Sequence, residues 1–197
     1  MKLVTVDPGL DGGICTIDTD NSSLNVIRMP THTVIDKPAV TVFGKDSSGN
    51  KVLIKSGANK GTHKRIIKSP AKSHRELDCI AISDILFTAD LLVIESPAMS
   101  FGNSARSSAT TNRNFGKLLA IAELSLTPVQ QVPPRVWKKA LNLGRDKAVA
   151  ILFAEDLLSR SFLDINQKTF TTAEDGLGES VCIAYWYDKE LLCLNKS

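Results

Sequence analysis

The stretch that most constrains this chain is Lys2-Leu3-Val4-Thr5-Val6-Asp7-Pro8-Gly9-Leu10-Asp11-Gly12-Gly13, a short β-branched run that ends on an acid and passes at once into a glycine-rich turn. Val4 and Val6 suit a buried strand and Pro8-Gly9 marks a turn, so Asp7 is expected at the carboxyl end of a first strand. Glycines 9, 12 and 13 keep such a turn narrow and leave room for a ligand to approach the backbone. An acid in this place is either a metal ligand or an ordinary turn former, since Asp before Pro-Gly is common in turns. The two readings separate on whether further carboxylates converge on the same spot.

A chain of 197 residues with 43% hydrophobic content can bury a full core. It reads as one domain, residues 1–197, with an appendage. The formal net charge is only +3, but its distribution is uneven. Between Lys45 and Arg75 stand nine Lys or Arg against one acid, Asp46, leaving fifteen bases and twenty acids elsewhere. A local basic patch is the electrostatic footprint of a polyanion partner, although a solvated lysine-rich loop has the same composition. Cys15, Cys79, Cys182 and Cys193 lie far apart with no CxxC pair, which argues against a zinc site or a disulfide framework and fits a reducing compartment. No signal peptide, long apolar span or lipidation motif is visible. The expectation is a protein with no membrane association, in the cytoplasm.

In chain order, residues 13–17 and 24–29 read as a second and third strand that complete an antiparallel meander with the first. Residues 39–43 and 51–55 are expected to pair as a hairpin around Ser47-Ser48-Gly49-Asn50, with a Gly- and Lys-rich loop over 56–72. Ser73-His74-Arg75-Glu76 matches a capping box, followed by Leu77, Ile80, Ala81 and Ile85 at helical spacing. Leu91-Leu92-Val93-Ile94-Glu95 repeats the logic of the opening: a continuous apolar run, suited to a central strand, that ends on a carboxylate. Such an acid is costly to bury unless it is paired or bound to a cation. Residues 96–111 lead into a helix with Phe115, Leu119, Ala122 and Leu126 on its apolar face. Residues 129–132 form a short strand, Pro133-Pro134 opens a helix that continues through Leu141, and residues 146–158 form another. Thr171-Thr172-Ala173-Glu174 caps a final helix reaching about Leu192.

Asp175 and Glu179 in that last helix share one face, and like charges four apart repel unless a cation lies between them. Glu174 and Asp175 also suit a helix N-terminus on electrostatic grounds alone. Gly176 and Gly178 cost about 1 kcal/mol each relative to alanine inside a helix, which points to close approach of something else. Acids at two strand ends and on a terminal helix are the inventory of a two-metal phosphodiester hydrolase.

Asp7-Pro8-Gly9 with Gly12-Gly13, then Val93-Ile94-Glu95, then Asp175 to Ser180 resemble the signature acids of RuvC-like Holliday-junction resolvases in the ribonuclease H-like superfamily. Val132 to Leu141 is similar to the proline-tryptophan-lysine segment of the phage-type and short bacterial members. The resemblance runs from Lys2 to about Tyr187, leaving residues 37–72 without a counterpart. It departs from members with two aspartates three residues apart, because Gly176 stands three before Glu179; Asp175 matches a phage-like variant, with Glu174 a competitor for the role.

The resemblance implies an α/β ribonuclease H-like fold, a mixed five-stranded sheet flanked by helices, with a basic hairpin or loop inserted at about 37–72. It implies a crossover junction endodeoxyribonuclease that resolves four-way DNA junctions by paired nicks. Two Mg²⁺ ions per site, replaceable by Mn²⁺, would be held by Asp7, Glu95, Asp175 and Glu179, about 4 Å apart as such pairs are. Lys138 and Lys147 would face the scissile phosphate. Phe101, on the loop after Glu95, is a candidate wedge for an opened base step, or an ordinary hydrophobic plug. Arg106, Lys138, Lys139, Lys64, Arg65 and Lys68 are candidate DNA contacts, and the lysines from Lys45 to Lys72 candidate contacts to junction arms. Trp137 reads as core. Two-fold substrate symmetry implies a homodimer, with the helix from about Ala105 to Leu126 as candidate interface. The compact form points to a bacteriophage; the expected location is cytoplasmic and nucleoid-associated, in the host cytoplasm if the source is viral. The alternatives are a nuclease of this fold acting on flaps or forks, a non-catalytic junction binder, and a phosphotransferase of the actin and sugar-kinase type. Against the last, the chain is short for duplicated halves and has no second phosphate loop.

Overall fold

β1 (Lys2–Val6) is buried at Leu3, Val4, Thr5 and Val6, so it lies inside the molecule with both faces covered. It pairs antiparallel with β2 (Gly13–Asp18), which pairs antiparallel with β3 (Ser23–Arg28), the meander that three closely spaced apolar runs predict. The computed structural model describes residues 1–21, 23–54, 60, 62–97, 105–144, 146–160, 164–165 and 175–189. These divide into two compact units, Met1–Thr31 with Leu77–Ser197, and His32–Glu76.

In the second unit, β4 (Thr31–Lys37) forms one two-stranded sheet with β7 (Lys72–Leu77), and β5 (Val40–Phe43) forms another with β6 (Arg65–Ser69). Two expectations fail here. Among the described residues, 39–43 do not pair with the 51–55 stretch; β5 takes β6 as its partner, a longer ladder than the local turn offers. The turn itself exists: Asp46 Oδ1 accepts from the amides of Ser48 (3.0 Å) and Asn50 (2.9 Å), and Lys45 and Lys51 bridge across it. The 73–76 segment is strand rather than a capping box. His74 lies between Asp36 (Nδ1 at 2.9 Å) and Glu76 (Nε2 at 3.0 Å), so the ribbon uses these polar residues for cross-strand and same-strand pairing.

In the first unit, Asp78 caps α1 (Cys79–Leu86) by accepting from the Ala81 amide at 3.1 Å. The helix buries Ile82 and Leu86 while Ile80 is 78% exposed, so its inward stripe is shifted from the expected one. β8 (Leu91–Glu95) adds parallel to β1. α2 (Ala105–Leu124) buries Asn114, Leu118, Ile121 and Ala122, with Phe115 and Leu119 half-covered. Leu126 lies beyond the helix end at a positive φ of 55° and 89% exposed, outside the core that its spacing predicts it to join. β9 (Val129–Val132) adds parallel to β8. α3 (Pro134–Ala140) starts on its proline, and α4 (Lys147–Arg160) follows Asp146, whose carboxylate accepts from the Ala148 amide at 2.9 Å. β10 (Asp164–Ile165) joins parallel to β3, and α5 (Asp175–Tyr187) is the last element. Residues 171–174 and 190–197, which hold the expected final cap and helix end, lie outside the described residues.

The sheet order is β10-β3-β2-β1-β8-β9. Apart from the two-residue β10, this is a mixed five-stranded sheet with flanking helices, the α/β arrangement expected from the sequence. Alternation along the strands sorts the core into two layers. Val4, Val6, Ile14, Leu92 and Ile94 face α1 and α2, while Leu3, Cys15, Val26 and Val93 face α3, α4 and α5.

Candidate metal centre

The period of two that sorts the core also aims the acids. Leu3, Thr5 and Asp7 share one face of β1, and Leu91, Val93 and Glu95 share the same face of β8. The parallel register sets Thr5 beside Val93 and Val6 beside Ile94, so the next position on each strand is an acid. Neighbouring strands run about 4.8 Å apart, close enough for two carboxylates to share a cation.

α5 crosses that face and delivers the third acid. Thr5 Oγ1 donates to the Ser180 carbonyl at 2.7 Å, fixing the helix one residue beyond Glu179. At the helix start, Gly12 and Gly176 form a parallel backbone bridge. A Cβ on Gly176 would fall 2.5 Å from the Asp11 carbonyl oxygen, and one on Gly13 would fall 2.8 Å from Leu177 Cα. Gly178 is likewise tight, its would-be Cβ 3.2 Å from Ile151 Cα on α4. The sequence assigns the glycines of the first turn to ligand approach. Gly13 instead admits the backbone of α5 at Gly176 and Leu177, a Cβ on Gly12 would collide with the turn's own backbone at Asp7 and Gly9, and the close approach inferred for Gly176 and Gly178 is to the chain itself.

The outcome is a cluster in which one carboxylate oxygen from each of Asp7, Glu95 and Glu179 lies within 4.8 Å of the others. Two neighbours on α3 hold it. Trp137, 0% exposed, donates Nε1–H to Glu95 Oε2 at 2.8 Å. Lys138 Nζ donates to Glu179 Oε1 at 2.5 Å. Burial first, and then the charges of Asp7 and Glu179, push the Glu95 carboxyl up to about 8, against the opposing pull of Trp137 and Lys138. Three converging carboxylates with one ammonium among them form an all-oxygen, electron-rich donor set that fits a hard divalent cation. Cys15 and Cys182, both buried, have thiols pushed up to about 12 chiefly by burial, so neither serves as a nucleophile.

Beside the acids, a cavity of about 1010 Å³ is lined by Ser96, Pro133, Arg135, Lys138, Lys139 and Asn142 among others, with cations and, among the described residues, no acid in its wall. Of the remaining expected site residues, Lys64 and Arg65 are exposed and belong to the second unit. Phe101 lies outside the described residues, as do the side chains of Asp175, Arg106, Lys147 and Lys68. The sequence reading missed Thr5 as the tie to α5 and the indole N–H as a partner of Glu95. A threonine in an otherwise apolar strand, two residues before the acid, was the available signal for the first. Nothing in the sequence signals the second.

No family model and no curated protein matches the chain. Among solved structures the chain is similar to Thermus thermophilus RuvC, at 12% identity over 96% of each chain with a TM-score of 0.47. It is also similar to T. thermophilus RuvC in complex with Holliday junction substrate, at 14% identity over 96% of each chain with a TM-score of 0.48. The yeast mitochondrial Holliday junction resolvase Ydc2 matches at 12% identity over 99% of this chain and 84% of that one, with a TM-score of 0.41. Among the described residues no helix is long and apolar enough to cross a membrane.

Proposed function

We propose that this chain is a metal-dependent, structure-selective endonuclease that resolves four-way DNA junctions by paired nicks, a RuvC-like member of the ribonuclease H-like superfamily. The observation that carries the nuclease reading is the meeting of Asp7, Glu95 and Glu179 within 4.8 Å, with Lys138 on Glu179. Junction selectivity rests on the resemblance of the acids and of the Val132–Leu141 segment. On this reading residues 1–197 are one nuclease domain with a basic insertion at about 37–72, which falls within the second compact unit.

Asp7, Glu95 and Glu179 would hold Mg²⁺; by the resemblance there would be two ions per site, Asp175 would complete the shells and Mn²⁺ would substitute. Bound divalent ions supply an activated water and charge stabilisation at the leaving oxygen. The remaining work is the protein's own. Trp137 fixes the rotamer of Glu95, as a hydrogen bond to a ligating carboxylate does. Lys138 neutralises Glu179 and, with Arg135 and Lys139 in the adjoining cavity, attracts the phosphodiester strand. The net reaction adds water across a P–O3′ bond, leaving a 5′-phosphate and a 3′-hydroxyl. By the resemblance alone, Lys147 is assigned to the scissile phosphate, and Phe101 and Arg106 to the opened junction. A homodimer supplies the second site that paired nicking requires.

The test is a mobile four-way junction incubated with protein and Mg²⁺, beside an Asp7→Asn control, with three-way, flap and linear DNA in parallel. Paired symmetric nicks on the four-way substrate, lost in the control, are expected. Equal cleavage of flaps or forks would replace the junction reading with a broader branched-DNA nuclease. Undiminished cleavage by Asp7→Asn would remove the metal site.

A further inference from the structure

The second unit, His32–Glu76, carries ten Lys or Arg against three acids, a net +7, while the rest of the chain has fourteen bases and eighteen acids, a net −4. The whole-chain value of +3 hides this segregation. At physiological salt the Debye length is about 8 Å, so a ligand close to this unit responds to its local charge rather than to the sum.

The cations here are also organised. Phe43 pairs with Arg65 across the β5–β6 ladder, and Lys45 bridges to Lys51 beyond it. Lys51 Nζ lies 4.3 Å from the Phe43 ring centroid and the Arg65 guanidinium carbon 5.6 Å from it, while His63 packs edge-on at 5.5 Å. One aromatic ring thus holds two long basic side chains in place. Ordering them before binding removes part of the entropy cost that free lysines pay when they meet a ligand.

The unit also exposes aliphatic side chains, among them Ile66 at 45% and Ile67 at 66%. Consecutive strand residues point to opposite faces, so these two do not form one apolar surface of the kind that enters a bilayer. The net charge of the unit favours a polyanion with regularly spaced charges.

We infer that the second unit is a duplex-binding module, in which Lys51 and Arg65 held on Phe43, with exposed Lys45 and Lys64 beside them, engage the phosphate backbone of double-stranded DNA without reading its sequence. This deepens the proposed function and rests on it only for the choice of DNA as the polyanion. The module is separate from the carboxylate cluster in its residues and in its chemistry.

The experiment is metal-free binding of the full chain to a fluorescent linear duplex of about 30 base pairs in EDTA, titrated across salt concentrations. The variant Lys45→Gln/Lys60→Gln/Lys64→Gln leaves the Phe43 stack intact. It is expected to make the slope of log affinity against log salt shallower by about 0.9 for each phosphate that the variant no longer engages, about two to three in all. Phe43→Leu, which keeps every charge, is expected to weaken binding several-fold with the fold retained by circular dichroism. An unchanged slope in the triple variant, or binding to phosphatidylserine vesicles in place of duplex, overturns the inference. Equal duplex affinity of Phe43→Leu and wild type removes the role given to the ring. Because no metal is present, failure here leaves the cleavage reading standing; a chain that binds duplex in this way yet never nicks a junction with Mg²⁺ loses the cleavage reading alone.

Discussion

Trp137 donates its indole N–H to Glu95 across 2.8 Å, so the largest fully buried side chain of the core is also the one that orients a site carboxylate. The register makes this hydrogen bond: β9 runs parallel to β8 with Val132 beside Glu95, and α3 starts two residues later. Packing and chemistry therefore share one residue.

Trp137→Phe separates the two. The ring that fills the core is largely kept, and the donor is lost. Removing a partner that orients a ligating group typically costs about 10- to 100-fold in metal affinity. Mn²⁺ titration by calorimetry should register a loss in that range, with the metal-free fold retained by circular dichroism. Unaltered Mn²⁺ affinity would deny the indole any positioning role.

Lys138→Met leaves Glu179, only 5% exposed, without the ammonium it meets at 2.5 Å. Breaking a buried pair by removing one partner costs about 3 kcal/mol or more, because the remaining charge has lost its compensation. The metal-free melting temperature should fall. Saturating Mg²⁺ should restore more of it in the variant than it adds to wild type, since the cation then supplies the missing positive charge. Equal Mg²⁺ shifts in the two proteins would contradict this account.

The pH dependence follows from Glu95, whose carboxyl is pushed from 4.5 up to about 8, first by burial and then by Asp7 and Glu179. Between those values the native state holds a proton that the unfolded chain has released, so metal-free stability falls as pH rises through this window. The penalty is absent below about 4.5 and complete above about 8. Divalent ions need the ionised carboxylate, so their apparent affinity should climb with pH and level off above about 8. Thermal melts without metal and Mn²⁺ titrations at several pH values check both slopes. Glu95→Gln should flatten the stability profile across the same window.

Gly176→Ala and Gly116→Ala form a matched pair. A methyl on Gly176 would meet the Asp11 carbonyl oxygen at 2.5 Å, whereas nothing lies within 4 Å of the corresponding position at Gly116 on α2. The first should destabilise by about 1 to 3 kcal/mol through overpacking, and should weaken Mn²⁺ binding as α5 is forced away from the β1–β2 turn. The second should stabilise by about 0.5 to 1 kcal/mol through helix propensity. Denaturant unfolding of both variants, with Mn²⁺ titration of the first, is the measurement.

The opening strand, the acid at its end, the apolar run to Glu95 and the proline that starts α3 are all legible along the chain, because each depends on residues a few positions apart. Period-two alternation even fixes which face Asp7 and Glu95 share. Where the signal was local but the competition was not, the sequence misleads: residues 73–76 have the composition of a helix cap, yet β7 is stabilised by pairing with β4. The same holds for β5, which pairs past its near neighbour with a strand more than twenty residues on.

What the sequence determined by itself was the inventory: two strand-end acids, a helix with a third, glycines at the close approaches, and a basic stretch set apart from a mildly acidic remainder. What only the tertiary structure decided was who meets whom. Glycines that read as space for a ligand became the seat of α5, and a tryptophan that read as core became a hydrogen-bond donor to Glu95. The physical reason is that backbone periodicity is a property of neighbours in sequence. A hydrogen bond between residues forty-two apart depends instead on how the sheet and its helices close on one another.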